Sequence, residues 1–436
     1  MAAPSDAPPA PRGDWFSDLF GFAETSYDEA RNWLRLHPGE KHGQPAMLES
    51  LANKKQFSVG MFSTPTLAEL RKEGAAAKEA VSSLPDAALT VRNELGDVSA
   101  KHTQADNRHA TFQVASQFNC LEFVGPSVVP EDGVTRYISD RTQGPACSIT
   151  CGPATVFRNY FAPVDSEGGC KEGQTRSSQL DNLSEVSKVV GNVPAGRLFD
   201  TKGGYTLARD AQLRKLDSAL ARLAQQDKLD DVRAALRVGV HSDVQVTSCK
   251  WGSQLETDPG QLVTQVFASA CSVAYNSNSE SRNWKNFASI ILEAAYEATL
   301  WAALLNAHRH GGAHGSRQVF LTCVGGGVFG NSMEWIAQAM RRAFNQFKDC
   351  SLDVRIVTYA GQINPHLVAL EEEFSACPVR IRGLKQKKED ATSLATPMSG
   401  LPKEASVVPA KRKAADQTPS VAVSATPMLG LPKEAS

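Results

Sequence analysis

A short apolar run that empties into glycines and then straight into a helix allows few folds, and this chain has one: Val319-Phe320-Leu321-Thr322-Cys323-Val324-Gly325-Gly326-Gly327-Val328-Phe329-Gly330-Asn331, followed by an amphipathic stretch from Met333 to Phe347. The segments around it extend the pattern. Val263 to Tyr275 reads as a strand, Trp284 to Ala307 as a long helix, Gln318 to Val324 as a strand, Met333 to Phe347 as a helix and Val354 to Tyr359 as a strand. Strand, helix, strand, helix, strand implies parallel strands joined by right-handed crossovers, with ligands at the carboxyl ends of the strands. Thr111 to Phe123 and Arg237 to Thr247 read as further strands, and Asp210 to Gln225 as a helix.

Glycines let a backbone turn sharply with its N–H groups converging, and the helix behind them adds a positive dipole end, so the turn suits a phosphate or diphosphate. Asn331 or Ser332 is placed to cap that helix. A Walker A loop requires Gly-Lys-Ser/Thr, which is absent. Gly325, Gly327 and Gly330 satisfy GxGxxG, but the next strand ends in Ala360-Gly361 where a dinucleotide fold needs an acidic residue, and too little chain follows to complete such a sheet.

Strand, Gly327-Val328-Phe329-Gly330, helix and short strand resembles the second phosphate-binding loop of macrodomains. The resemblance covers roughly residues 105 to 370, and the specific motif covers Gln318 to Tyr359. It implies a macrodomain-like three-layer αβα sandwich whose ligand is ADP-ribose or an ADP-ribosylated protein. By that likeness Gly325, Gly326, Gly327, Val328, Phe329, Gly330 and Asn331 would hold the diphosphate and ribose. Two of the family's features are missing, the Asn-Ala-Ala-Asn strand end and the paired Glu-Glu of poly(ADP-ribose) glycohydrolases. The nearest local equivalent is Ala115-Ser116-Gln117-Phe118-Asn119-Cys120, where Asn119 is expected to meet the distal ribose.

Cleaving an ADP-ribosyl bond passes through an oxocarbenium-like state, which calls for an acid or base and a carboxylate to steady the charge. The stretch from Asn119 to Phe161 is dense in polar groups and turns, and loops of that kind carry function more often than packing. It supplies Glu122, Asp132 and Asp140, with Asp132 or Glu122 as the base and Asp140 as an orienting partner. Asp132 before Gly133 has the alternative of a turn residue, and Asp140 of a partner for Arg141 or Arg136. Gln143 and Tyr275 are expected at the ligand, Tyr275 by stacking or as a core residue. An ADP-ribosyl hydrolase is the leading expectation. A silent ADP-ribose reader and a nucleotide-binding structural protein are the alternatives.

Other features bound the reading. Lys plus Arg (46) balance Asp plus Glu (47), so nothing in the overall field recruits nucleic acid or an anionic membrane. The nine cysteines are widely spaced without a CxxC, which reads as buried reduced thiols and no zinc site. No cofactor is called for. His308, His310 and His314 read as a Gly/His loop, and Glu293 with Glu297 as an arginine-paired or solvated stripe on the long helix. That helix, with two carboxylates, reads as a core element rather than a membrane span. A cytoplasmic location is expected, with Lys411-Arg412-Lys413 as a nuclear alternative.

In domain terms, residues 1 to 13 read as a disordered lead and 14 to 104 as a largely helical extension docked on the core. Residues 105 to 378 read as the macrodomain-like unit, and 379 to 436 as a disordered tail. There Ala395 to Ser406 recurs at Ala425 to Ser436 with Ser399 replaced by Leu at 429.

Overall fold

The computed structural model describes residues 14–39, 45–82, 88–166 and 169–375. The lead, Cys377, and the tail with its repeat and Lys411-Arg412-Lys413 lie outside those residues.

Nine strands build one mixed sheet: β1 (Leu34–His37), β2 (Ala46–Ser50), β3 (Gln56–Ser63), β4 (Thr90–Leu95), β5 (Thr111–Ala115), β6 (Gly239–Gln245), β7 (Leu262–Ala268), β8 (Gln318–Leu321) and β9 (Asp353–Thr358). Their spatial order is β1-β2-β3-β6-β7-β5-β8-β9-β4. From β7 to β4 the pairings are parallel, and from β1 to β7 they are antiparallel. The helices used below are α1 (Leu67–Ser82), α2 (Gln143–Thr150), α3 (Gly152–Tyr160), α4 (Lys285–Arg309) and α5 (Met333–Phe347).

Alternation along the strands separates two apolar layers. Val319, Leu321, Val354 and Ile356 join α1, α4 and α5 in one core. Phe112, Val114, Phe320 and Phe267 face the other side, over Ala146, Cys147, Cys151 and Ala154 of α2 and α3. The result is a helix–sheet–helix sandwich, the layered α/β class expected from the strand–helix alternation. Helix α4 is buried on nearly every face, which explains its apolar composition. It is the one described helix long and apolar enough to cross a membrane, and 83% of its apolar window is buried inside the fold.

Three expectations need correction. Residues 14 to 104 are not a largely helical extension: they contribute β1 to β4, and β3 and β4 pair with β6 and β9 on opposite flanks of the sheet. Gln56–Ser63 alternates buried and less buried residues as a strand does, and α1 is followed by strand β4. Arg158, Asn159 and Tyr160 are not loop residues; they end α3, fully buried. Among the described cysteines Cys170 is exposed, while the others are buried or half-buried and all are free thiols.

Glu297 is paired rather than solvated. Its buried carboxylate takes Nε (2.6 Å) and Nη2 (3.1 Å) of Arg71, Nη1 of Arg342 (2.6 Å) and Nε2 of Gln346 (3.0 Å). These bonds tie α1, α4 and α5 together, and they outweigh burial to hold the carboxyl at about 2. Glu293 pairs with Arg233 at 2.6 Å.

Candidate functional site

The sheet opens at the carboxyl ends of β5 and β8. These strands pair only at Thr111 and Phe112, whereas β5 stays paired with β7 through Ala115. Because β7 and β8 lie on opposite sides of β5, the crossover through α4 leaves a gap above Gln113, the kind of switch point where α/β sheets hold ligands. Gln143 at the start of α2 fills the missing strand's role: the Ala115 N–H donates to its Oε1 (2.8 Å), and its Nε2 donates to the Gln113 carbonyl (2.8 Å).

Above this seam lies a cavity of about 230 Å³, lined by the β5 end, Asp140, residues 142–145, Tyr205, Tyr275 and the glycine turn. Gly330 N–H closes the turn on the Gly327 carbonyl at 3.0 Å. Among the described residues, no bond from the N–H groups of Gly327, Val328 and Phe329 to a protein acceptor is present, which leaves three donors at the cavity wall. Gly325 is required by packing and backbone together: its φ is +74°, and a Cβ there would stand 2.5 Å from that of Ala270. Gly327 has nothing within 4 Å of its Cβ position, so its side opens to the ligand space. Tyr205, Tyr275 and Phe329 form an aromatic wall, with ring centroids 4.9 to 5.6 Å apart.

Glu122 is the chemically distinctive residue. It is 2% exposed yet lines the cavity, and its Oε1 has no hydrogen-bond partner. Its own N–H donates to the Tyr137 hydroxyl at 2.9 Å, which fixes the backbone. Burial pushes its carboxyl well above the usual range, and the Asp140 charge adds to that. Arg158 and Ser116 act in the opposite sense and do not prevail. The shift favours the protonated form of a carboxyl group that faces a cavity of mixed polar and apolar lining. Asp140 lines the same cavity, its Oδ1 accepting from Thr142 N–H at 3.2 Å. Cys323 also lines it, but burial raises its thiol to about 11, which removes it as a thiolate nucleophile at neutral pH.

The expected residues thus divide. Glu122, Asp140, Gln143, Tyr275, Gly325, Gly327, Val328 and Phe329 converge on the cavity. Asp132 does not: it is exposed, and its Oδ2 accepts the Val129 N–H at 2.9 Å, the turn role that its place before Gly133 allows. Asn119 is consumed by protein partners, accepting from Leu121 N–H (3.1 Å) within its own turn and donating to Gln179 Oε1 (2.9 Å). A Cβ at Gly326 would meet Ile336, and one at Gly330 would meet Ala274, each at 2.9 Å. Asn331 braces the turn by donating to the Cys271 and Gly325 carbonyls at 2.8 and 3.2 Å, and Ser332 caps α5.

Sequence reasoning missed Gln117, Tyr205, Thr142 and Gly144. Tyr205 comes from a two-stranded hairpin ninety residues from the β5 end, and nothing local marks it. Also missed was a second cavity of about 520 Å³ that shares Thr142, Gln143 and Thr322 with the first. Its walls include Asp97, Arg141, Trp251 and the exposed Tyr359, with the Arg141 guanidinium 4.6 Å from the Trp251 ring centre. Lys250 and Trp251 both have positive φ, +49° and +60°, a strained hairpin tip that presents the indole there.

No family model matches the sequence, and no curated protein matches it. Solved structures do. Poly(ADP-ribose) glycohydrolase from Deinococcus radiodurans in complex with ADP-ribose is 11% identical, covering 73% of this chain and 95% of its own, with a TM-score of 0.38. Poly(ADP-ribose) glycohydrolase from Thermomonospora curvata is 14% identical, covering 72% and 85%, with a TM-score of 0.33. The Thermomonospora enzyme bound to the inhibitor ADP-HPD gives 14%, 72%, 85% and 0.31.

Proposed function

We propose that this chain is an ADP-ribosyl hydrolase whose acid is Glu122. One observation carries the reading: a buried carboxyl with an unpartnered oxygen shares a cavity with the N–H groups of the Gly327–Phe329 turn. An anion-binding turn and a proton donor at one cavity suit a substrate whose phosphates are anchored while a bond at the adjoining sugar is broken.

In this reading the diphosphate lies on the N–H groups of Gly327, Val328 and Phe329, and the distal ribose lies against Tyr275 and Phe329. The adenine end extends past Thr142 and Gln143 into the second cavity, where Trp251 and Tyr359 offer faces for stacking. Glu122 donates its proton to the leaving oxygen or nitrogen as the bond to the ribose anomeric carbon lengthens. Asp140 faces the positive charge that develops there and then takes a proton from the incoming water. Tight packing around Glu122 excludes bulk water, which strengthens both effects.

Calorimetric titration of ADP-ribose into the wild type and Gly327→Glu, with product release from an ADP-ribosylated protein measured for Glu122→Gln, tests the proposal. Binding lost in the glycine variant and turnover lost with binding kept in Glu122→Gln support it. Absence of binding by the wild type removes it. Binding by the wild type without turnover leaves a reader of ADP-ribose marks.

A further inference from the structure

At the opposite end of the sheet from the cavity, three segments far apart in sequence bring His109, Asp243 and His310 together. His109 precedes β5, Asp243 lies on β6, and His310 follows the end of α4. Their ligating atoms all lie within 4.8 Å of one another. His310 Nε2 is 3.0 Å from Asp243 Oδ1, and His109 Nδ1 is 3.6 Å from the same oxygen.

These separations have a chemical meaning. Ligands held 2.0–2.1 Å from a tetrahedral zinc ion stand about 3.3 Å apart, and the 3.6 Å between His109 Nδ1 and Asp243 Oδ1 lies near that edge, while the 3.0 Å between His310 Nε2 and Asp243 Oδ1 is a hydrogen bond that rotation of His310 opens. The backbone at the cluster is also unusual. His109 and Asp243 have φ of +63° and +55°, a region that L side chains adopt at a cost of order 1–3 kcal/mol. Asp243 sits where the β6–β7 register shifts between His241 and Val244, the kind of bulge that re-aims a side chain. His109 is pinned by its N–H to the Leu262 carbonyl (2.7 Å) and by Asn306 Nδ2 to its own carbonyl (2.7 Å). Its Nδ1 is buried and makes no hydrogen bond. A strained, braced imidazole with an unused nitrogen aimed at a carboxylate is poorly explained as packing.

We infer that His109 Nδ1, Asp243 Oδ1 and His310 Nε2 form a binding site for a divalent transition cation of zinc-like preference, fixing the ends of β5 and α4 to the β6 bulge. Arg309 lies 3.6 Å from Asp243 Oδ2 and so holds the carboxylate with Oδ1 turned to the ion. The two imidazoles are stacked at 3.9 Å, and binding in both ring planes turns the partly exposed His310 out of that stack. His314, whose ring centre is 5.9 Å from that of His109, or a water takes the fourth position. The site is independent of the hydrolase reading, since it touches none of the cavity residues.

The test is titration of the metal-free full chain with Zn²⁺, and with Co²⁺ for its visible d–d band. One equivalent with tetrahedral Co²⁺ absorption is expected, weakened by about tenfold or more in both Asp243→Asn and His310→Gln and unchanged in His308→Gln. Circular dichroism and ADP-ribose titration of each variant control for folding. Absence of stoichiometric uptake overturns the inference in favour of a metal-free hydrogen-bonded His–Asp array. So does uptake that survives Asp243→Asn or is lost equally in His308→Gln.

Discussion

The Cα of Gly144 is packed against the carboxyl group of Glu122 so closely that a Cβ at 144 would stand 2.2 Å from Oε2 and 2.1 Å from the Ala115 carbonyl oxygen. Gly144 lies in the first turn of α2, where alanine would ordinarily favour the helix by about 1 kcal/mol. Here the sign reverses. Gly144→Ala is expected to destabilise the protein by about 1–3 kcal/mol in denaturant unfolding, and to cut turnover by moving the acid. An alanine variant as stable and active as the wild type would show that the carboxyl group is not held there.

Glu122→Gln keeps the shape of the side chain but removes its proton. Turnover is expected to fall about 10²–10⁴-fold with ADP-ribose affinity nearly unchanged. The same variant tests the ionisation. A carboxyl whose folded pKa is raised keeps its proton in the native state while the unfolded chain has lost it. Stability therefore falls as pH rises above about 4.3, by up to about 1.4 kcal/mol per unit, until the folded pKa is passed. Unfolding curves measured across that range should converge on flatter behaviour in Glu122→Gln.

Glu297 gives the opposite slope. Its folded value of about 2 lies below the ordinary one, so its contribution is complete above about pH 4.3 and is lost as pH falls toward 2. Glu297→Ala removes the buried carboxylate between Arg71 and Arg342, which keep only the exposed Asp230 as a common partner, and a loss of about 1–3 kcal/mol is expected in thermal or denaturant unfolding.

Two glycines of the turn separate binding from folding. Gly327→Glu has room for its side chain and brings a negative charge to the N–H groups proposed to hold the diphosphate, so calorimetry should show ADP-ribose binding lost while the melting temperature holds. Gly325→Ala must strain a φ of +74° and push Ala270 aside, so its melting temperature should drop.

Asp132→Ala serves as the contrasting carboxylate. Because Asp132 caps an exposed turn, its loss should leave product release unchanged in the same assay that reads Glu122→Gln.

How much of this was legible in the sequence follows from the range of the forces involved. The glycine turn and its helix announce themselves because their signals are local: backbone freedom at Gly325, the Ser332 cap, and the apolar spacing of Trp335, Ile336, Ala339 and Met340 on one face of α5. The same holds for the strands and helices from Asp210 onward. The roles of the carboxylates did not follow from sequence. Glu122 and Asp132 stand ten residues apart in an equally polar stretch, and only the packing of Gly144, Tyr137 and α3 desolvates one and leaves the other in water. The N-terminal strands were misjudged because a strand's stability comes from its neighbours, and β3 and β4 find theirs in β6 and β9, more than 170 residues away. Sequence alone determined that the chain would build a glycine turn from strand to helix on a parallel sheet, since that depends on short-range backbone geometry. Which acid stands over that turn, and which histidines meet Asp243, only the tertiary structure decided, because burial and long-range proximity belong to no single segment.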